Sequence, residues 1–195
     1  MISDKHKIIF IHIPRTSGTS IESAFKFNMD KVGGKHLKAS EIKRNIGNDK
    51  WNNYFKFSIV RNPWERFVSM YSMPFLRKIN RLSGKSIDYF FDNYYLPQHE
   101  SCLTCSEYLD LEDLNLIGKY EKRKAFLEEL KTNLNSDELI KKNLDNNWER
   151  KTINNKLPWY ELFNHRVFDL ITSKYIKDIE RFNYDPYSFR ELISI

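Results

Sequence analysis

The spacing of apolar residues predicts a strand and then a helix at the start of this chain. A short β-branched run from Ile9 ends at Pro14, a pattern typical of a buried strand. The stretch after Gly18 has the spacing of an amphipathic helix. The hydroxyl-rich turn between them therefore lies at a helix N-terminus, where free N–H groups and the helix dipole favour an anion. This turn predicts a site for phosphate or sulfate.

The same order of strand, turn and helix recurs at residues 54–71. Tyr54–Val60 predicts a strand, Asn62 an N-cap and Pro63 the first helical residue. Arg61 ends the strand, and Ser69 lies on a different face of the helix from its predicted buried stripe, which is Trp64, Phe67, Val68 and Tyr71. Arg61 and Ser69 are thus candidates to contact one phosphate together. Spacing alone equally allows an exposed arginine and a helix serine without a role.

Further elements complete an α/β pattern. A short strand is predicted at Leu114–Gly118, and helices at Ala39–Asn45, Ser86–Asn93, Lys122–Leu134, Ser136–Asn143 and His165–Phe182. One side of the last helix is predicted to carry Val167, Leu170, Ile171, Ile179 and Phe182. Strands alternating with helices indicate a layered α/β fold with a central, mostly parallel sheet flanked by helices. No linker or repeat marks a boundary, so we expect residues 1–195 to form a single domain.

The composition of the chain narrows the classes of partner that it can bind. The net charge is +6, which favours an acidic partner such as a nucleotide, a sulfated or phosphorylated substrate, a nucleic acid or a membrane surface. No stretch approaches the roughly 18 apolar residues of a membrane span, so we expect no span and a cytoplasmic location. Cys102 and Cys105 are too few for a disulfide framework or a zinc site and are interpreted as ordinary thiols.

The first turn half-matches the Walker phosphate loop. On residues 13–20 the pattern G-x-x-x-x-G-K-[ST] finds Gly18 and Ser20, but Ile13 replaces the first glycine and Thr19 replaces the lysine. Arg15 is the cation of this loop. A kinase needs the lysine, magnesium and an acidic metal ligand at a strand end, and the sequence offers no obvious acidic partner. A kinase with a degenerate loop stays an alternative.

Two segments resemble a known family. The run H-I-P-R-T-S-G-T-S, and V-R-N-P-W-E-R-F-V-S-M-Y still more closely, resemble the 5′-phosphosulfate and 3′-phosphate motifs of sulfotransferases that use 3′-phosphoadenosine 5′-phosphosulfate (PAPS). The carbohydrate O-sulfotransferase branch is the most similar. Weaker echoes are K-H-L-K-A-S-E-I-K, L-P-Q-H, L-I-G-K-Y-E and Y-I-K-D-I-E-R-F-N-Y-D.

The resemblance implies a fold related to P-loop kinases, PAPS as donor, 3′,5′-adenosine diphosphate (PAP) as product and no metal. The 5′-phosphosulfate would be held by Arg15, Thr16, Ser17, Gly18, Thr19 and Ser20. The 3′-phosphate would be held by Arg61 and Ser69. The family usually has lysine where Arg15 stands; the planar guanidinium replaces a compact ammonium, and we expect this to affect the rate more than the binding. Arg15 would stabilise the leaving phosphate.

The resemblance also implies a base and an acceptor. Sulfuryl transfer to a hydroxyl or amine needs a general base, and His36 is the candidate because it follows the Gly33-Gly34 turn and because related enzymes carry a histidine shortly after the loop. Glu22 and His99 are the alternatives. The acceptor is predicted to be a carbohydrate or small molecule, with Gln98 and Arg77 as weak candidates to bind it.

Several residues also have structural interpretations. Thr19 and Glu22 fit a capping box, and His12 fits a core histidine whose ring nitrogens are hydrogen-bonded. Three aromatic residues are candidates to line a sugar site but are interpreted first as core residues: Trp148, Trp159 and Tyr160. The third functional class, a non-catalytic nucleic-acid-binding module, is disfavoured because 26 acidic residues are interspersed among 32 basic ones. We therefore expect no nucleic-acid partner.

Overall fold

The computed structural model describes residues 1–25, 27, 33–73, 84–96, 102–111, 113–134 and 159–186. The chain divides into two compact units, the first from Met1–Arg61 and Glu107–Thr152 and the second from Asn62–Ser106 and Ile153–Ile195. Each unit therefore takes its residues from two separate stretches of the sequence. The single domain over residues 1–195 stays a prediction.

The first unit contains a sheet of four strands: β1 (Ile2–Ser3), β2 (Ile8–Ile11), β3 (Phe55–Val60) and β4 (Leu116–Lys119). The strands lie in sequence order; β1 is antiparallel to β2, while β2, β3 and β4 are parallel. The predicted α/β class with a mostly parallel sheet is thus confirmed. The sequence pattern missed β1, because two residues are too few to show a period.

The helices, in chain order, are α1 (Gly18–Phe25), α2 (Ala39–Ile46), α3 (Asn48–Asn53), α4 (Pro63–Tyr71), α5 (Ile87–Phe90), α6 (Cys105–Tyr108), α7 (Arg123–Asn133), α8 (His165–Lys174) and α9 (Ile176–Arg181). A π-helical turn over Phe91–Tyr95 extends α5, and 3₁₀ turns occur at Tyr120–Lys122 and Trp159–Leu162. No helix in these described stretches is long and apolar enough to cross a membrane.

The sheet of the first unit buries one face beneath two helices. Phe10 and Phe57 are opposite each other in the register of β2 and β3, and their rings stack with centroids 5.0 Å apart. This face packs against apolar residues of α1 and α7, namely Ile21, Ala24, Phe25, Phe126, Leu127 and Leu130. Lys56 points to the opposite face, where its Nζ donates to the carbonyl oxygen of Trp51 in α3. Helices α1, α3 and α7 therefore all contact the sheet.

Most predicted helices are present with small shifts at their ends. The predicted N-cap of α4 is confirmed, since the Asn62 side chain accepts a hydrogen bond from the Glu65 N–H at 3.1 Å. The predicted buried stripe is confirmed at Trp64, Phe67 and Val68 but not at Tyr71, which is only partly buried. Ser69 lies off this stripe and is half-buried. Helix α3 was missed because its sequence is polar apart from Trp51. The helix predicted over Ser136–Asn143 lies outside the described residues.

The prediction of one continuous helix over His165–Phe182 was wrong. The chain leaves helical geometry at Tyr175, with φ −100° and ψ 17°, and forms α8 and α9 instead. The Tyr175 side chain is fully buried and its hydroxyl accepts a hydrogen bond from the Arg66 guanidinium at 3.1 Å. Leu170, which was assigned to the buried side, is 38% exposed. The break follows from the buried polar contact, which helical spacing does not reveal.

The core of the second unit contains buried charged groups. Arg66 is fully buried and donates to the Leu103 carbonyl oxygen as well as to Tyr175. Asp178 is buried too, and its carboxylate accepts the backbone N–H groups of Cys105 and Ser106, both at 2.7 Å. These two N–H groups begin α6, so Asp178 acts as a cap supplied from α9.

Candidate active site

The site in the first unit lies where the parallel strands end. The residues that follow β2, β3 and β4 are the loop from His12 to Ser17, Arg61 and Tyr120. Because parallel strands end at the same edge of a sheet, these residues come together there. The sequence had placed the loop and Arg61 at strand ends, and the structure puts both at this edge.

The loop after β2 has a strained backbone. Arg15 and Ser17 both have left-handed conformations, with φ values of 67° and 71°. Such conformations cost about 1–3 kcal/mol each for residues other than glycine and persist where the surroundings impose them. Left-handed residues within a turn also direct successive N–H groups into a concave anion-binding arrangement. The loop geometry therefore fits the predicted phosphate or sulfate ligand.

Thr16 supports the loop through its side chain. The residue is fully buried, and its hydroxyl donates to the Ile13 carbonyl oxygen at 2.9 Å. Because a hydroxyl has only one proton, this side chain has none left to donate to an anion. Any contact of Thr16 with a ligand must therefore use its backbone N–H.

Helix α1 begins directly after the loop, at Gly18. The first N–H groups of a helix have no partner within it, which leaves the backbone of Gly18 and Thr19 available to an anion. The Ser20 N–H is committed to the Ser17 carbonyl oxygen at 3.1 Å. Glycine is required at position 18 for a steric reason, since a Cβ there would lie 1.9 Å from the His12 ring.

Arg61 connects the strand ends through two contacts. Its guanidinium donates to the carbonyl oxygen of Arg15 at 3.3 Å, which ties the end of β3 to the loop after β2. The same guanidinium lies over the ring of Tyr120, 4.1 Å from the centroid, and Arg123 lies 5.6 Å from that ring. Two guanidinium groups therefore flank one aromatic ring at this edge, a cationic setting suited to a phosphate.

His36 is held beside the loop in one tautomer. Its Nδ1 lies 3.0 Å from the carbonyl oxygen of His12. A carbonyl oxygen only accepts hydrogen bonds, so Nδ1 must carry the proton of the neutral ring. The lone pair then resides on Nε2, which is the state that a general base needs.

His12 is a core residue, as predicted, but its ring is not fully satisfied. The residue is 3% exposed, and its Nδ1 has no hydrogen-bond partner among the described residues. The expectation of hydrogen-bonded ring nitrogens was therefore wrong at that atom. Burial holds the pKa of His12 well below its usual value, and the nearby His36 and Lys35 add to the effect. His12 is accordingly neutral.

The predicted capping box is wrong. Helix α1 already includes Thr19, and the Glu22 carboxylate accepts a hydrogen bond from the Lys35 ammonium, so it does not cap the helix. This ion pair links α1 to the segment that carries His36. One oxygen of Glu22, the alternative base, is therefore engaged by an ammonium partner. His99, the other alternative, lies outside the described residues.

The other predicted site residues lie in the second unit or outside the described residues. Ser69 belongs to the second unit, and its pairing with Arg61 stays a prediction. Gln98 and Arg77 lie outside the described residues. Cys102 and Cys105 are buried and free of disulfide bonds, in keeping with ordinary thiols. Within the described ranges, no group of three or more histidine, cysteine or acidic side chains is arranged to hold a metal ion.

Sequence reasoning missed Tyr120, Arg123 and Lys35 as neighbours of the site. Tyr120 directly follows β4, and the L-I-G-K-Y-E echo marks that position. The end of the predicted strand could therefore have indicated that Tyr120 lies near the site. Lys35 had no such signal, because its contact with Glu22 joins residues 13 positions apart.

Comparisons with known proteins identify the family of this chain. A family profile described as "Sulfotransferase family" matches residues 1–185. Carbohydrate sulfotransferase 10 of Danio rerio is 30% identical over 95 residues, and that of Xenopus laevis is 29% identical over 94 residues. These matches cover 39% and 38% of this chain, and about a quarter (25%) of each relative. No solved structure matches significantly. Neither the kinase nor the nucleic-acid alternative gains support from these matches.

Proposed function

Because this chain belongs to the sulfotransferase family, we propose that it is an enzyme that transfers a sulfuryl group from PAPS to a hydroxyl or amine of an acceptor. The observation that carries the proposal is the hydrogen bond from the Arg61 guanidinium to the Arg15 carbonyl oxygen. It joins the two motifs that would bind opposite ends of the same nucleotide. We also propose that the sheet belongs to the layered fold related to P-loop kinases.

The residues present fit the donor. The left-handed loop at Arg15 and Ser17, together with the first N–H groups of α1, would hold the 5′-phosphosulfate. Thr16 and Ser20 would support this loop, since the Thr16 hydroxyl and the Ser20 N–H are already bonded to backbone carbonyls. Arg61 would hold the 3′-phosphate with Ser69. The donor supplies an activated sulfuryl group on a phosphate leaving group.

The protein's part in the reaction is positioning and charge stabilisation. His36 would accept the acceptor's proton at Nε2 while the acceptor oxygen or nitrogen forms its bond to sulfur and the bond between sulfur and the phosphate oxygen breaks. Arg15 would stabilise the negative charge that develops on the phosphate oxygen, leaving PAP as product. No metal ion takes part in this proposal.

We propose a carbohydrate or small molecule as acceptor. The support is the name of the two relatives, carbohydrate sulfotransferase 10, each of which is matched over about a quarter (25%) of its length. Gln98 and Arg77 remain candidates for acceptor binding from the sequence alone.

The test is transfer of radiolabelled sulfate from PAPS to a panel of carbohydrate and small-molecule acceptors. With an acceptor found, His36→Ala should lower kcat by roughly 10²- to 10⁴-fold, the range of general-base catalysis. Arg15→Ala should lower kcat by about 10²-fold or more. Arg44→Ala, an exposed residue of α2, is the control and should leave kcat unchanged. Unaltered kcat in both site variants would contradict the assigned roles.

A further inference from the structure

The first residue of the loop, His12, has a ring that contacts both the start of α1 and the candidate base. The ring of His12 occupies the space in which a Cβ of Gly18 would lie, 1.9 Å from its Cδ2 and 2.0 Å from its Nε2. The ring also contacts His36, with centroids 4.5 Å apart and planes inclined by 59°. Through its main chain, the same residue accepts the hydrogen bond that sets the His36 tautomer.

The His12 ring is fixed from the core side. It stacks on Phe10, with centroids 5.4 Å apart and planes 18° from parallel, and Phe10 stacks in turn on Phe57 of the neighbouring strand. A side chain that is 3% exposed and packed on three sides has little rotamer freedom. Its position is therefore set by the sheet.

We propose that His12 is a positioning residue that fixes the distance and orientation of His36 relative to the loop beginning at Arg15, an inference that rests on the proposed function. Transfer in line requires base, acceptor and loop to be aligned to within a fraction of an ångström. His12 makes one contact with Gly18, where the loop joins α1, and one contact with His36. It takes no proton from the acceptor itself.

The flat shape of the ring matters at this position. The contact with Gly18 leaves no space for a methyl group on that glycine, so the side chain at position 12 must present a flat ring there. A buried nitrogen without a partner costs about 1–3 kcal/mol, and Nδ1 of His12 has none among the described residues. The packing of the ring against Gly18 and His36 opposes this cost.

The electrostatic surroundings are shared by both histidines. Lys35, paired with Glu22, and the buried amino group of Met1 face this region together with the two imidazoles. Lys35, Glu22 and the Met1 amino group stay in place in the His12 variants. A change in the behaviour of His36 in those variants therefore reports the loss of the ring contact.

The experiment compares His12→Ala and His12→Phe with wild type by three measurements: kcat for transfer, the dissociation constant of PAP, and the His36 tautomer from nitrogen-15 NMR of the imidazole rings. His6→Ala is the matched control, because His6 also contacts a core ring, that of Phe25 at 6.3 Å. His6 precedes β2, so this variant removes a histidine outside the loop and outside the segment that carries His36.

We expect kcat of His12→Ala to fall by about 10²-fold, with the PAP dissociation constant within about twofold of wild type. The single Nδ1–H tautomer of His36 should become a mixture. His12→Phe, which keeps a flat ring, should retain the tautomer and lose less than about tenfold in kcat.

Three results would overturn the proposal. They are an unchanged kcat and tautomer in His12→Ala, a loss in His12→Phe as large as in His12→Ala, or loss of PAP binding in His12→Ala. If wild type itself neither binds PAP nor transfers sulfate, the proposed function fails, and the His36 tautomer in wild type and His12→Ala still decides the His12 proposal.

Discussion

At the scale of single residues, buried His12 makes the stability of the protein depend on pH. Its pKa is well below the ordinary 6.5 because burial disfavours the charged ring. Below pH 6.5 the unfolded chain binds a proton at His12 that the folded protein does not bind. The free energy of unfolding therefore falls as pH falls through this range, by up to about 1.4 kcal/mol per pH unit for this one group.

The measurement is urea unfolding from pH 8 down to about pH 5, for wild type and His12→Phe. The difference between the two free energies should change with pH below 6.5 and be constant above it, because phenylalanine does not titrate. The subtraction removes the titration of groups that both proteins share. A difference that is constant over the whole range would show that His12 has an ordinary pKa.

The positions and partners of individual site residues could be predicted from the sequence only where a local pattern indicated them. Arg15 and Arg61 follow predicted strands, so their location at one edge of the sheet was predictable. The ion pair of Glu22 with Lys35 was not, and the capping-box pattern gave the wrong partner for Glu22. A contact between residues that are far apart in the sequence produces no periodic pattern. A capping box is a local pattern, and other contacts can override it.

At the scale of elements, the cap of α4 is a local feature that the sequence specified fully. Asn62 and Pro63 predict the helix start, and the side chain of Asn62 accepts the N–H of Glu65. We expect Asn62→Ala to lower the free energy of unfolding by about 1 kcal/mol, while Asn62→Ser, which keeps an acceptor, loses much less. Urea unfolding of the three proteins measures this. Equal losses in both variants would show that the cap does not contribute.

The break at Tyr175 illustrates the opposite case. Helical spacing continues across residues 165–182, and nothing local stops it, since no glycine or proline stands there. The chain departs from the helix where the Tyr175 hydroxyl is buried against the guanidinium of Arg66. Tertiary contacts override propensity at such positions, so this boundary was outside the reach of sequence patterns.

At the scale of the whole molecule, the charge of +6 and the strand-end arginines favour the same class of ligand, an anionic nucleotide. Net charge alone left nucleic acid and membrane surfaces open as partners, and the resemblance of the two motifs supports the proposal of a 3′-phosphorylated donor. The α/β class followed from alternating strands and helices. The grouping of residues into two units did not, because each unit joins distant stretches of the chain.

The most direct measurement is thermal unfolding with PAP, compared with ATP plus magnesium, for wild type, Arg61→Ala and Arg44→Ala. Arg44 is exposed on α2, so its variant loses the same charge elsewhere. At about 100 times its dissociation constant, PAP should add about 2.7 kcal/mol of stability and raise Tm by several degrees. We expect this shift in wild type and in Arg44→Ala, and we expect it to be lost in Arg61→Ala. A shift with ATP and magnesium alone, or none with PAP, would contradict the proposed function.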